Sequence, residues 1–372
     1  MDFAFDQDQQ LLKNSVRAFL DEHCKPSLVR ALWDDHRGES EAMWKEMAQL
    51  GWLGLPLPEA YGGSGLGMVE TAILVEEMGR AACPSPYVST ILAASAIAEA
   101  GSAAQKNRWL PAIATGSARA AIAWLDTEWN WDPSATATTA TPTGSGWTLK
   151  GSKRFVPWAH VADVLLVPAR LPEGLALFLV EPSAPGLKQA PLTGMDLGTR
   201  WTSLTLDGMP VGADARLGAP AQASPLLDRL FQRGAVSAAA EMLGAARRCL
   251  DMSVAYAKVR EQFGQPIGSF QAIRHKCAEM LLRVENAHGA TYYAAWALDA
   301  GAEDAAIAAS VAKAYVSEAS RDVCGEAIQV HGGIGFTWEY DLHLYFKRAK
   351  ALEPMFGDAD YHRELIVRRV TE

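Results

Sequence analysis

Two stretches in the last third of the chain carry residues whose types and spacing suit the holding of a phosphorylated ligand. The first is Tyr256-Ala257-Lys258-Val259-Arg260-Glu261-Gln262-Phe263-Gly264-Gln265-Pro266-Ile267, followed by Phe270-Gln271-Ala272-Ile273. Arg260 stands where a long helix ends at Gly264-Gln265-Pro266, so a fixed guanidinium there can pair with a diphosphate. Gln262 and Gln271 add neutral donors, and Phe263 offers a face to a ring system. In the second stretch, Gln329-Val330-His331-Gly332-Gly333-Ile334-Gly335-Phe336, the paired glycines follow an apolar helix and let backbone approach a ligand closely. Each block alone also reads plainly, Arg260 as a solvated helix end and Gly332-Gly333 as a C-cap. His275 and His331 flank the blocks and read as structural histidines.

Two acids are candidates for proton transfer. Glu241 lies in the otherwise apolar run Ala238-Ala239-Ala240-Glu241-Met242-Leu243-Gly244, where a desolvated carboxylate holds its proton more tightly, as a base poised near neutrality requires. Asp358 is the second, although Gly357-Asp358-Ala359-Asp360 also suits a helix N-terminus, where aspartates cap N–H groups and complement the dipole.

The elements that position these residues are read from the hydrophobic period. Residues 1–118 form an N-terminal helical domain: Leu11, Leu12, Val16, Phe19 and Leu20 recur at helical spacing, as do Met43, Met47 and Leu50. Pro56–Pro58 and Gly62–Gly67 interrupt it. The run Gly62-Gly63-Ser64-Gly65-Leu66-Gly67 reads chiefly as a turn needing positive φ, because a dinucleotide loop requires a preceding strand. Residues 119–222 change period. Thr136–Thr143, Trp147–Leu149, Val164–Val167, Leu177–Val180 and Ser203–Asp207 predict a compact antiparallel β domain. Residues 223–372 return to helices (Ile273, Cys277, Met280, Leu281, Val284; then Ile307, Val311, Val316, Val323) and predict a four-helix-bundle-like domain. The fold class is α+β and multidomain.

Composition excludes several functions. The net charge of −9, without a long run of like charge, argues against a nucleic-acid partner. The five scattered cysteines form no C-x-x-C pair, so no metal site is expected and a reducing, cytoplasmic setting is. No apolar stretch reaches membrane-spanning length, and the first residues lack a signal-peptide pattern.

Taken in order and spacing, the Arg260 and Gln329 blocks resemble the acyl-CoA dehydrogenase family, and the helix–β–helix order extends that resemblance over nearly the whole chain. The resemblance implies an FAD enzyme acting on an acyl-CoA thioester, with the α-proton removed by a carboxylate and electrons passed to an electron-transfer flavoprotein-like acceptor. It implies that Arg260, Gln262, Phe263, Gln271, Gln329, Gly332 and Gly333 contact the FAD of a neighbouring subunit, and hence an oligomer.

The chain also departs from the family. Aligning Arg348-Ala349-Lys350 places Met355-Phe356-Gly357-Asp358 where the family carries a glutamate base in a Tyr-Glu-Gly-Thr-like turn, and Phe356 takes no proton. The family's other base position, on an earlier helix, falls near Gly234. Glu241 is two helical turns from Gly234 and on the same face. In the β domain, Phe155 stands for the family's aromatic wall, while Pro157 offers no donor, leaving backbone groups of 125–127 as substitutes. Three expectations stay open. The chain is a dehydrogenase with its own FAD and a relocated base, or a non-catalytic partner that completes the FAD or acyl-CoA site of a homologous chain, or a flavin oxidase using oxygen; the assembly is a homo-oligomer or a heterotetramer with a homologous subunit.

Overall fold

The computed structural model describes residues 5–126 and 129–371. The chain opens with α1 (Gln7–His23), α2 (Pro26–Ala31), α3 (Glu41–Gln49), α4 (Met68–Arg80), α5 (Tyr87–Ala100) and α6 (Ala103–Ala114). The strands follow: β1 (Ala120–Ile122), β2 (Thr139–Thr143), β3 (Gly146–Pro157), β4 (Val164–Leu171), β5 (Gly174–Val180), β6 (Leu187–Leu192), β7 (Trp201–Gly212) and β8 (Arg216–Leu217). The last part holds α7 (Pro220–Val259), β9 (Glu261–Gln262), β10 (Gln265–Pro266), α8 (Gln271–Ala300), α9 (Ala305–His331), α10 (Leu342–Leu352) and α11 (Ala359–Thr371). The expected order of helices, sheet and helices is present.

By packing, these elements gather into two compact units. One holds the chain up to Ala31, Gly67–Cys83 and everything from Gln232 onward; the other holds Leu32–Leu66 and Pro84–Phe231. The first unit therefore takes α4 out of the N-terminal helical segment and packs it on α7 and α8. Its core is polar at one point. Glu76 of α4 is fully buried, yet it accepts from Tyr292 Oη at 2.5 Å and pairs with Lys13 and Arg247, each at 3.3 Å. Burial alone would raise its pKa, but Lys13, the Tyr292 hydrogen bond and Arg247 together hold it below the usual carboxylate value.

This closeness of α4 and α7 depends on two glycines. A Cβ on Gly79 would come within 2.7 Å of the Glu241 carbonyl carbon, and one on Gly244 within 2.7 Å of the Arg80 amide nitrogen. The backbones cross with no side chain between them. At the other end of α4, the amides of Met68 and Val69 donate to Asp299 Oδ1 and Oδ2 at 2.6 and 3.0 Å. The anion at this helix N-terminus is thus the protein's own carboxylate, which fills the role a phosphate would take in a nucleotide loop. Gly62 and Gly65 have φ of 84° and 64°, in keeping with the turn reading of their run.

The second unit is built on an eight-stranded sheet ordered β6-β7-β3-β2-β4-β5-β8, with β1 pairing parallel to β4. The expected antiparallel sheet is antiparallel in most ladders but not all, since β2 and β4 also meet parallel at Thr139 and Arg170. The β2–β3 hairpin turns through Gly144 and Ser145 between the paired residues Thr143 and Gly146, as two-residue hairpin loops do. Inward residues Leu149, Leu165, Val167, Phe178, Leu204 and Met209 close the core. Lys153 is buried within this unit, donating to Asp126 at 3.0 Å and to the Trp124 carbonyl at 3.2 Å; burial brings it down to about 8 despite Asp126.

Candidate functional site

The stretch after α7 is a two-strand hairpin with Gln262 opposite Gln265. Its two-residue loop, Phe263 and Gly264, has φ of 54° and 75°, the left-handed pair that a type I′ turn demands. Holding Phe263 in that conformation is unfavourable for a bulky residue, and it leaves the ring 93% exposed at the tip. Arg260 is exposed at the base, fixed through its backbone by Tyr256 O at 2.8 Å and by the Ile267 amide at 2.7 Å. Gln271 opens α8, exposed.

The second block ends α9. Gln329 is exposed on the last turn, and Gly332 caps the helix at φ 64°, ψ −140°, a region essentially reserved for glycine. Nothing lies within 4 Å of where a Cβ would stand on Gly332, Gly333 or Gly264, so all three present open backbone. A small apolar cluster joins the blocks: Ala257, Ile267 and Val330 pack with Tyr256, Phe270 and Ile273. Tyr256 also stacks on His331, with centroids 4.3 Å apart. His331 is buried, donates from Nδ1 to Ala327 O at 2.7 Å and is pushed below its ordinary pKa by burial, which makes it structural as expected.

The two acids are both engaged elsewhere. Glu241 Oε1 lies 2.5 Å from Arg348 Nη1, and Arg348 also donates to the carbonyls of Cys83 at 3.2 Å and Ala82 at 3.4 Å. Arg348 is 3% exposed and Glu241 15%, so this is a buried ion pair at the α4–α7 crossing. The carboxylate in the apolar run is thus not isolated but has a charged partner, which favours its charged form. Asp358 accepts the Tyr361 amide at 2.9 Å and is exposed, so it serves as the N-cap of α11 rather than a buried base.

The position of Phe356 is the informative one. A Cβ on Gly234 would stand 2.6 Å from Cδ1 and Cζ of the Phe356 ring, so the ring lies directly on the glycine. The two positions that the resemblance aligns with the family's base thus meet in space, and an aromatic ring lies there. Phe356 and Gly357 have φ of 54° and 85°. Their turn is held from below by its carbonyls. Lys313 Nζ donates to Glu353 O and Gly357 O, both at 2.8 Å, and bonds Ser317 Oγ at 3.0 Å, while His362 Nε2 donates to Phe356 O at 2.7 Å. Burial, reinforced by Lys313, pushes His362 down to about 3, so it is the neutral donor this bond requires. Sequence reasoning missed this pair. The signal was the lone charge in Ala312-Lys313-Ala314, but its acceptors lie 40 and 44 residues away.

Burial lowers Lys313 to about 7, with Glu353 and Asp358 opposing. The sign follows. Between about 7 and the ordinary lysine value the unfolded chain binds a proton that the folded chain does not, so stability rises with pH across that window. Below about 7 both states are protonated and the folded state carries the full desolvation penalty. The urea midpoint of the wild type is expected to rise from pH 7 to pH 9.5 relative to that of Lys313→Met, which lacks the titration. Parallel curves would refute the assignment.

In the second unit, Phe155 sits in a bulge of β3, between the pairs Lys153–Leu204 and Val156–Thr202, at φ 52°. It is exposed, at 37%, with Trp129 edge-to-face at 4.6 Å. Of the backbone groups at 125–127, Leu125 O accepts the Arg154 amide at 2.8 Å, the Asp126 side chain is taken by Lys153 and Thr138, and Thr127 lies outside the described residues.

Family models for the N-terminal, middle and C-terminal domains of acyl-CoA dehydrogenases match residues 6–117, 122–210 and 226–371. FadE12 of Mycobacterium tuberculosis, an acyl-CoA dehydrogenase, is 35% identical over 100% of this chain and 96% of its own. Among solved structures, the Tcur3481-Tcur3483 steroid ACAD is 34% identical with a TM-score of 0.90, covering 98% of each chain. The ChsE4-ChsE5 complex from Mycobacterium tuberculosis is 30% identical with a TM-score of 0.93, covering 100% of this chain and 99% of that one. This chain belongs to the acyl-CoA dehydrogenase family, whose reaction is the flavin-dependent α,β-dehydrogenation of acyl-CoA thioesters and whose cofactor is FAD. The first unit fits that cofactor's diphosphate. An exposed guanidinium, exposed amide side chains and open glycine backbone lie on two segments that one apolar cluster holds together. Among the described residues no helix is long and apolar enough to cross a membrane.

Proposed function

We propose that this chain is one subunit of a composite acyl-CoA dehydrogenase, in which it supplies FAD contacts to a homologous chain that carries the base. The observation behind this reading is the Phe356 ring lying on Gly234, in a chain that keeps the Arg260 and Gln329 blocks. When bound, FAD supplies the two-electron acceptor for the hydrogen leaving the β-carbon. This chain's own part is binding and orientation. Arg260 offers a bidentate cation to a diphosphate, Gln262, Gln271 and Gln329 offer neutral donors, Phe263 covers a ring face, and Gly332-Gly333 allow backbone approach. At the turn over Gly234 the chain moves no proton, because Glu241 is paired and Asp358 caps a helix. The partners are the homologous subunit, an acyl-CoA and an electron-transfer flavoprotein-like acceptor. A cytoplasmic setting suits five cysteines that are all unbridged, four of them buried.

Absorption spectra test this. Purified alone, the chain is expected to be colourless and to reduce no dye with straight-chain or ring-bearing acyl-CoAs. Co-expressed with a neighbour-encoded homologue, it is expected to co-purify in a yellow complex that does. A yellow, active chain on its own would refute the composite reading.

A further inference from the structure

Near Phe155, the backbone donors of Arg154 and Trp158 are engaged and Pro157 has none. The Arg154 amide donates to Leu125 O at 2.8 Å, Val156 lies in the ladder opposite Thr202, Pro157 has no N–H, and the Trp158 amide donates to Arg200 O at 2.9 Å. A flavin ring, whose pyrimidine edge is rich in acceptors, finds few donors on this stretch.

Phe155 is 37% exposed, and one side of its ring is met by Trp129. Trp129 and Phe155 have centroids 4.6 Å apart at an interplanar angle of 68°. A planar ligand needs about 3.5 Å on each side, so a sandwich between two rings requires about 7 Å. Trp129 must therefore leave before anything flat can stack on that side of Phe155. It is 43% exposed and packs edge-on against buried Trp131 at 6.2 Å, and Trp131 leans in turn on Trp124 at 5.9 Å and Phe231 at 6.2 Å. The Arg154 guanidinium lies 5.8 Å from the Phe155 ring centre.

We propose that Trp129 keeps planar ring systems off the side of Phe155 that it meets, so that no flavin ring stacks there while Trp129 is in place. The proposal rests on the composite reading, in which the chain serves a cofactor seated mainly on a homologue. Its test is separate, because riboflavin has the ring but lacks the diphosphate and so does not report on Arg260 or Gly332-Gly333.

Riboflavin fluorescence is titrated with the full chain as wild type, as Trp129→Ala, and as Trp129→Ala combined with Phe155→Ala. Trp129→Ala is expected to bind riboflavin about tenfold more tightly than wild type, the scale of one recovered stacking contact, and the double variant to lose that gain. Equal binding by wild type and Trp129→Ala, or tighter binding by wild type, overturns the proposal. If Trp129→Ala fails to fold, Trp129→Leu, which keeps apolar contact with Trp131, is read in its place. A wild-type chain that keeps FAD alone would refute the composite reading, whereas only the riboflavin comparison decides the role of Trp129.

Discussion

Gly244→Ala is expected to destabilise the helical unit by about 3 kcal/mol, near the top of the range for overpacking. The added methyl would overlap the Glu76 carbonyl oxygen and stand 2.7 Å from the Arg80 amide, and backbone atoms do not swing aside as a flexible side chain does. Relief requires α4 and α7 to separate. That separation strains the Tyr292, Lys13 and Arg247 contacts that keep Glu76 charged in the interior. Gly289→Ala is the control. Gly289 lies inside α8 with nothing within 4 Å of its would-be Cβ, so alanine there is expected to stabilise by about 0.5–1 kcal/mol through helix propensity and a less flexible unfolded chain. Urea midpoints of the two variants moving in the same direction would contradict the crossing.

Glu241→Leu is expected to cost about 3 kcal/mol, because it leaves the Arg348 guanidinium buried without its carboxylate. Much of that loss should return in the double variant Glu241→Leu/Arg348→Met, which removes both charges, and a double-mutant cycle measures the coupling. Activity gives the complementary result. In the co-expressed complex, Glu241→Gln is expected to leave the rate per bound flavin and its pH profile unchanged, since the residue works in the α4–α7 crossing. A loss of a hundredfold or more in rate at unchanged stability would restore Glu241 as the base.

What the sequence conveyed well was local. The 3.6-residue period located α8 and α9, short apolar runs located β4 and β5, and an alternating run located β7, because each pattern states what one element buries. It conveyed facing less surely. Leu281 and Val311 belong to the apolar stripes yet are 49% and 44% exposed, and Leu11 on α1 is 67% exposed. The Arg260 and Gln329 blocks were legible as motifs because each lies in a short, contiguous segment. The fate of Glu241 was not, because its partner Arg348 is 107 residues away and only the fold brings them together. The same holds for the ring of Phe356 on Gly234. Sequence alone showed two positions without a carboxylate and gave no sign that they are one place. The regrouping of α4 with α7 and α8 was equally hidden, since an apolar helix face does not name the helix it will meet.

The turn that bears Phe356 is gripped by carbonyls, with Lys313 holding Glu353 O and Gly357 O and His362 holding Phe356 O. Every residue type has a carbonyl, so these attachments are indifferent to what stands at position 356. A side chain there can be exchanged in the course of descent while the loop keeps its course. A fold fastened in this way can lose a reactive group and persist as a scaffold, free to be kept for what its other surfaces do.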